Sequence, residues 1–276
     1  MAISTTNLAD RTIGMVIVAQ DGSGDFNGST DVTIQAAIDS LPNGGWIFIK
    51  EGVYLIDTNI IPTDGIRLSG SGNLTVLKQK DLAATTRIIY ATTVVDLIIE
   101  DMKLDGNSAG QVGDKSGITL TGNYNLVIRN LYITDCLDYG IIIAGNIGQN
   151  YISDCFIEDC GVAIKSTLDN LVIRNVNADT DVVGAAGIEM ENQHDGAILN
   201  CWVISNNAVS TAYRLHGSTH QITVLGCRCR NIRNGYLEED TTTDNILDDF
   251  MGTNVPGDFI TLNVGSTTRV GLNLLT

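Results

Sequence analysis

The chain has 276 residues and a formal net charge of −16 at pH 7, from 32 acidic and 16 basic side chains. Because nucleic acid and anionic membrane surfaces repel a protein of this charge, we expect neither as a partner. No apolar run reaches membrane-spanning length, and MAISTTNLADRTIGMVIVAQ at the start shows no signal peptide. The length suits one large domain or two small ones, and we predict a single domain over residues 1–276.

The first predicted element is an amphipathic helix in TIQAAIDSLP (33–42). Ile34, Ala37, Ile38 and Leu41 fall on one stripe of it, and WIFIKEGVY (46–54) then begins the strands. A helix in this place would cover apolar side chains that the first coil of a repeat leaves bare. We therefore predict an N-terminal segment with a capping helix over residues 1–55.

A repeated unit then occupies residues 56–276. Half of the unit is a small residue followed by an apolar–any–apolar pattern, which recurs every 21 to 26 residues from residue 117 onward. The other half is a pair of short strands around a one-residue corner, often Asn or Asp, as in LVIRNLYIT (126–134). The first half occurs as GIRLS (65–69), RIIYA (87–91), GITLT (117–121), GIIIA (140–144), GVAIK (161–165), GIEME (187–191), AYRLH (212–216), GYLEE (235–239) and DFITL (258–262).

Three short strands per repeat and a period in the low twenties predict an all-β fold, a right-handed parallel β-helix of about 8–10 coils. Leucine-rich repeats share the period but need a Leu and Asn consensus that is missing from this chain. Most cysteines fall on inward columns, and Cys201 and Cys227 lie on adjacent coils. These two could form a disulfide, but buried free thiols are the favoured interpretation.

The N-terminal segment also shows a family resemblance. VIVAQDGSGDF (16–26), TIQAAIDSLP (33–42) and WIFIKEGVYLI (46–56) resemble the opening of the pectin methylesterase and pectate lyase superfamily. The resemblance implies a right-handed parallel β-helix. The Gln- and Asp-bearing catalytic motifs of the pectin methylesterases do not follow, so we do not expect that activity.

The strands led by a small residue carry two outward columns, and charge concentrates on four successive coils of them. Glu189 is predicted beside Arg214, and Glu191 between Lys165 and His216. The columns read Thr119, Ile142, Ala163, Glu189, Arg214, Leu237 and Thr121, Ala144, Lys165, Glu191, His216, Glu239.

These side chains are the types that β-elimination of a uronic-acid polysaccharide requires. The reaction needs a cation to neutralise the carboxylate, a base to remove the C5 proton and an acid to protonate the leaving oxygen. Paired carboxylates could hold Ca²⁺ through their oxygens. The predicted site residues are Lys165, Arg214 and His216 as catalytic residues, Glu189 and Glu191 as calcium ligands, and Glu239, His194 and His220 as substrate contacts.

A second resemblance concerns the same residues. Glu-x-Glu on one coil, followed by Arg and His-Gly on the next (RLHG, 214–217), is similar to the alginate lyase and chondroitin B lyase family of β-helix enzymes. The resemblance implies that Glu189 and Glu191 bind calcium and that Arg214 acts at the scissile bond. The lysine base of that family would fall at Gly196, and Lys165 on a neighbouring coil could substitute for it.

Three other interpretations of the charged columns stay open. Glu189 with Glu191, or Glu191 with Glu239, could meet the carboxyl separation of an inverting glycosidase, about 6.5–9.5 Å. His194, His216 and His220 with Glu191 could hold a transition metal. Alternating charges could also serve only to keep an exposed sheet soluble and in register.

A separate outward column carries the aromatic residues Tyr132, Phe156 and Trp202. Exposed aromatic rings on neighbouring coils are costly, so we expect them to be covered. Tyr132 and Trp202 could stack sugar rings, or the flank could form the interface of a homotrimer of parallel β-helices. The second interpretation predicts a non-enzymatic structural or glycan-binding spike. The absence of a signal peptide fits a virion protein released by lysis, so we predict an extracellular or virion-associated location.

Overall fold

The structure is a computed structural model that describes residues 14–113, 115–145, 148–180, 186–205 and 210–275. Within these ranges one continuous hydrophobic core runs from Val18 to Val255. A 3₁₀ turn spans Ser108–Gly110. The other elements, in chain order, are β1 (Gly14–Ala19), β2 (Phe26–Asn27), α1 (Asp31–Asp39), β3 (Gly45–Ile49), β4 (Gly52–Ile56), β5 (Ile66–Gln79), β6 (Arg87–Thr92), β7 (Ile98–Asp105), β8 (Ser116–Thr121), β9 (Val127–Thr134), β10 (Tyr139–Ala144), β11 (Asn150–Ser153), β12 (Phe156–Glu158), β13 (Val162–Thr167), β14 (Leu171–Arg174), β15 (Asn177–Asp179), β16 (Ala186–Glu191), β17 (His194–Leu199), β18 (Trp202–Ile204), β19 (Thr211–His216), β20 (His220–Leu225), β21 (Arg228–Arg230), β22 (Asn234–Glu238), β23 (Ile246–Asp248), β24 (Phe250–Thr253), β25 (Ile260–Thr261), β26 (Arg269–Val270) and β27 (Asn273–Leu275).

These strands form a right-handed parallel β-helix of about nine coils, as the repeat predicts. In the described ranges, β6, β8, β10, β13, β16, β19, β22 and β25 make an eight-stranded parallel sheet. The remaining strands make a nineteen-stranded sheet, and in most coils a corner divides each turn of it into two short strands. The prediction of three strands per coil is therefore confirmed. GIRLS is assigned wrongly, because β5 pairs with β3 and β7 of the nineteen-stranded sheet.

The N-terminal helix begins and ends earlier than the sequence pattern indicates. It spans Asp31–Asp39 instead of residues 33–42. Ile34, Ala37 and Ile38 are buried as predicted, whereas Leu41 lies beyond the helix and is partly buried. The Asp31 carboxylate accepts a hydrogen bond of 3.1 Å from the Thr58 amide, which fixes the first turn against the chain that follows β4.

The corners between the two short strands are one-residue bends in the left-handed region. Asp101, Asn130, Asp154, Asn175 and Asn200 have φ between 51° and 56°. Asn and Asp tolerate this conformation better than other non-glycine residues. Side chains at neighbouring corners also pair, since Asn175 donates to Asp154 and Asn130 donates to Asp101, both at 3.0 Å. The recurrent Asn and Asp in the sequence therefore specify where each coil turns.

We expect Asn175→Ala to lower the free energy of unfolding by about 1–2 kcal/mol, since alanine is disfavoured at positive φ and cannot bond to Asp154. Asn175→Gly is the matched variant, because it loses the hydrogen bond but tolerates the φ of 54°. The measurement is the urea midpoint of both variants. Equal midpoints for the two would contradict a conformational origin of the effect.

The inward columns of the core are confirmed. Met102 pairs with Leu131 on the next coil. Ile157 pairs with Ala178, which in turn pairs with Val203 one coil further on, and all of these side chains are buried. The six cysteines are buried free thiols, which confirms the favoured interpretation of Cys201 and Cys227. The core therefore consists mainly of stacked apolar columns.

Candidate functional site

The charged columns lie on the outer face of the eight-stranded sheet, but one register differs from the prediction. Lys165 of β13 pairs with Glu189 of β16, not with Glu191. The reason is that Ala163, not Gly161, occupies the small-residue position one place before Ile164, which pairs with Ile141 and Ile188. At this position of the neighbouring coil, a Cβ on Gly140 would approach the Ala163 carbonyl to 2.7 Å. The predicted pairs of Glu189 with Arg214 and of Glu191 with His216 are confirmed.

Glu189 is the centre of the charged cluster, which we define as Lys165, Glu189, Glu191, Arg214, His216 and Glu239. Its Oε1 lies 2.8 Å from Lys165 Nζ and 3.1 Å from His216 Nε2. Its Oε2 lies 3.6 Å from Arg214 Nη1. One carboxylate thus contacts three basic side chains, Lys165 from the coil before it and Arg214 and His216 from the coil after it.

The other two carboxylates of the cluster, Glu191 and Glu239, bind the basic side chains that surround Glu189. Glu191 Oε2 accepts from Lys165 Nζ at 3.0 Å, so the ammonium group bridges Glu189 and Glu191. Glu239 Oε2 accepts from Arg214 Nη2 at 2.6 Å and from Arg214 Nε at 2.7 Å. The guanidinium group is consequently fixed between Glu239 and Glu189.

The centre of the cluster is buried, although it lies on an outer face. The Glu189 side chain is only 8% exposed and that of His216 only 12%. Burial alone would raise the pKa of Glu189, but hydrogen bonds and charge from Lys165 and His216 outweigh burial and lower this pKa. Burial alone would likewise lower the pKa of Lys165, but its bonds to Glu189 and Glu191 raise that pKa instead. Lys165 is therefore a protonated ammonium group throughout the neutral range.

Glu189, Glu191 and His216 have ligand atoms within 4.8 Å of one another, close enough to hold a metal ion. The cluster thus provides two carboxylates and an imidazole as candidate ligands. In this structure the space between the two carboxylates is taken by the Lys165 ammonium group.

His194 and His220 belong to the nineteen-stranded sheet, where they begin β17 and β20 after the coil has turned. Their rings are in contact, tilted by 39° with centroids 4.0 Å apart, and His194 Nδ1 lies 3.6 Å from Asp169 Oδ2. Neither is part of the metal-ligand group that the described residues form around His216. Their role as substrate contacts stays a prediction. Asp169, in the turn before β14, shows no repeat signal that could have identified it as their partner.

The aromatic column is confirmed by the register, which pairs Tyr132 with Phe156 and Trp202 with Arg228. The Tyr132 and Phe156 rings meet edge to face with centroids 5.5 Å apart. Tyr132 also lies 4.5 Å beneath the Lys103 ammonium group, and its hydroxyl donates to Glu158. Two shallow grooves follow this flank, of about 520 Å³ around Phe156 and about 430 Å³ around Trp202.

Sequence reasoning missed a buried polar site at the C-terminal end of the stack. Glu238 points inward from β22 and accepts hydrogen bonds from Tyr236 (2.7 Å), Asn245 (3.1 Å) and Ser266 (2.8 Å). The alternation of GYLEE does place Tyr236 and Glu238 on the inner face, but the partners Asn245 and Ser266 come from later turns without a repeat pattern. In the part of the chain that the structure describes, no helix is long and apolar enough to cross a membrane.

The stacked parallel coils with this site geometry define the class of protein. The family model for a right handed beta helix region matches residues 26–249, so the chain belongs to the right-handed β-helix family. No curated protein sequence matches the chain.

Several solved structures share the fold at low sequence identity. Polygalacturonase from Erwinia carotovora ssp. carotovora has a TM-score of 0.72 and 12% identity over 100% of this chain and 96% of that one. Tailspike protein 2 of Escherichia coli O157:H7 bacteriophage CAB120 has a TM-score of 0.69 and 13% identity over 89% of this chain. The ORF18 protein of Geobacillus virus E2 has a TM-score of 0.60 and 16% identity over 88% of this chain. The chain spans 36% of the tailspike and 56% of the ORF18 protein.

Proposed function

We propose that this chain acts on an acidic polysaccharide and cleaves it by β-elimination at the charged cluster. The observation that carries the proposal is the buried Glu189, which contacts Lys165, Arg214 and His216. Solubility requires only exposed charges, whereas burying a carboxylate among basic groups has a desolvation cost and positions those groups precisely. The fold likeness to a polygalacturonase supports a polysaccharide as substrate.

Arg214 binds the uronate carboxylate in this proposal. Its guanidinium group is held by Glu239 and Glu189 and is about one-third exposed on the outer face of the sheet. Hydrogen bonds to Glu239 raise its pKa against the effect of burial, so Arg214 stays charged and does not transfer protons. A fixed guanidinium group neutralises the uronate, which makes the C5 proton more acidic.

His216 is the base and Lys165 the acid. When His216 Nε2–H donates to Glu189, the lone pair of Nδ1 is left to accept the C5 proton, and Glu189 stabilises the imidazolium that forms. The C5–H electron pair becomes the C4=C5 double bond as the C4–O bond breaks. Lys165, which is protonated, gives its proton to the leaving oxygen. The products are one unsaturated uronate end and one new hydroxyl end.

Calcium at Glu189 and Glu191 does not fit the cluster in this arrangement. Ca²⁺ would need both Glu189 and Glu191 as oxygen ligands, because the third candidate ligand here is the His216 imidazole. The Lys165 ammonium group also contacts both carboxylates at 2.8 and 3.0 Å. We therefore assign the positive charge at these two carboxylates to Lys165.

Replacing Lys165 with methionine should create calcium binding that the wild-type protein lacks. The substitution removes the ammonium group and leaves Glu189 and Glu191 close together with uncompensated charge. The measurement is calorimetric titration with CaCl₂, and the control is Lys165→Met combined with Glu191→Gln, which should not bind. Calcium binding by the wild-type protein at the affinity of Lys165→Met would overturn this assignment.

The test of the activity is ultraviolet absorbance by the unsaturated product. Alginate, pectate, chondroitin and dermatan are each incubated with the protein, with calcium and with chelator. We expect a rise on at least one polymer, equal in both conditions and abolished by Arg214→Ala. No rise on any of the four polymers would contradict the lyase function.

The second candidate is a non-enzymatic, trimeric spike that lies outside a cell or on a virion. The observation that favours it is the aromatic flank, where Phe156 and Trp202 are 42% and 39% exposed. The fold likeness to a phage tailspike supports the same idea. This candidate predicts no absorbance change and a trimer in light scattering that Trp202→Ala weakens.

A further inference from the structure

The groove around Phe156 lies on the nineteen-stranded sheet, away from the charged cluster on the eight-stranded sheet. Its floor is the ring pair of Tyr132 and Phe156. Tyr132 is immobilised by Lys103, by Glu158 and by the edge contact with Phe156. Phe156 itself is 42% exposed, so a ring face is available in a position that the structure fixes. Such a face suits the C–H groups of a pyranose ring.

The wall of the groove is formed by the polar corners of three successive coils. Asn130, Asp154 and Asn175 line it, and the amide nitrogens of the two asparagines already donate to Asp101 and Asp154. Because these nitrogens are engaged, the side chains that line the wall offer acceptors, namely the two amide oxygens and the Asp154 carboxylate. Hydrogen bonds from Asn175 and Ser153 lower the pKa of Asp154, so it is a carboxylate at neutral pH.

The aromatic floor and the acceptor-bearing wall together favour one class of ligand over others. A wall of acceptors matches the hydroxyl donors of a sugar, and the Asp154 charge repels a uronate. An apolar subunit surface would leave the carbonyl and carboxylate groups without partners on contact. The volume of about 520 Å³ suits a short oligosaccharide segment.

We propose that this groove is a binding site for a neutral hexose-containing glycan, distinct from the charged cluster and independent of any activity there. The aromatic floor supplies contact with the sugar ring, and the corner residues supply acceptors for its hydroxyls. Neutral glycan held at this flank would keep the protein attached to a glycan surface.

The probes are cellohexaose, maltohexaose and hexa-N-acetylchitohexaose, titrated calorimetrically into the full chain, with hexagalacturonate as the acidic counterpart. We expect saturable binding of at least one neutral probe and at least about tenfold weaker binding of the acidic one. Phe156→Ala should weaken binding of the neutral probe by at least about tenfold. Tyr151→Ala is the matched control, since Tyr151 is 43% exposed but does not line the groove.

The same titrations contain the outcomes that overturn the proposal. The proposal is overturned if none of the three neutral probes binds, or if hexagalacturonate binds as tightly as the neutral probe. It is also overturned if Tyr151→Ala weakens binding of the neutral probe as much as Phe156→Ala does. Light scattering of the wild type and of Phe156→Ala distinguishes the alternative occupant. An oligomer that Phe156→Ala dissociates would assign the groove to a second copy of this chain.

Discussion

Replacing His216 with alanine should lower the rate of β-elimination about 10²–10⁴-fold, the usual contribution of a general base. Glu189 holds Nε2 of the His216 ring, and the second ring nitrogen is left for substrate. Lys165 cannot take this role, because its bonds to Glu189 and Glu191 raise its pKa. The loss should fall on kcat rather than on KM, since Arg214 still binds the uronate.

The measurement is the initial rate of product absorbance on the polymer that the wild-type protein cleaves, across pH. The rate of His216→Ala should stay below that of the wild type at every pH tested. Thr121→Ala is the matched control, because Thr121 lies at the end of β8 in the same sheet and outside the cluster. A rate within twofold of the wild type for His216→Ala would exclude His216 as the base.

The fold was predictable from the sequence because every coil repeats the same physical requirement. The inward apolar columns and the Asn or Asp corners recur at each turn, so many independent positions indicate one period. The helix bounds were less predictable, because the apolar stripe of Ile34 and Ile38 is compatible with helices that begin and end at several neighbouring residues. Asp31 determines the start of the helix through a bond to Thr58, a contact that no sequence pattern contains.

The charged cluster was predictable in its members but not in its contacts. Alternation placed Glu189, Arg214 and His216 on the outer face correctly. The predicted pairing of Lys165 with Glu191 was wrong because the repeat was aligned with Gly161 as its small residue. Ala163 fills that position instead, where neighbouring strands approach closely. The burial of Glu189 could not be predicted from periodicity, because it depends on how long side chains from the two neighbouring coils fold over one carboxylate.

The burial of Glu189 has a consequence for stability. We expect Glu189→Gln to lower the free energy of unfolding by about 3 kcal/mol at pH 7, the low end of the range for breaking a buried ion pair. The reason is that Lys165 and His216 lose their shared carboxylate while staying mostly buried. Glu191→Gln is the matched comparison. Glu191 is about one-third exposed and has one basic partner, so we expect a loss of about 0.5–1 kcal/mol.

The difference between the wild type and Glu189→Gln should also depend on pH in one direction. The folded protein holds the pKa of Glu189 below its ordinary value of 4.5. A lowered folded pKa gives stability that is fully present above the unfolded pKa and is lost as pH falls through the folded value. Urea midpoints at pH 7 should therefore differ by the full amount, and those measured progressively below pH 4.5 should converge. A difference that stays constant into acid would mean that Glu189 contributes through its shape and hydrogen bonds alone, without its charge, and that the basic groups around it are not held by ionic contact.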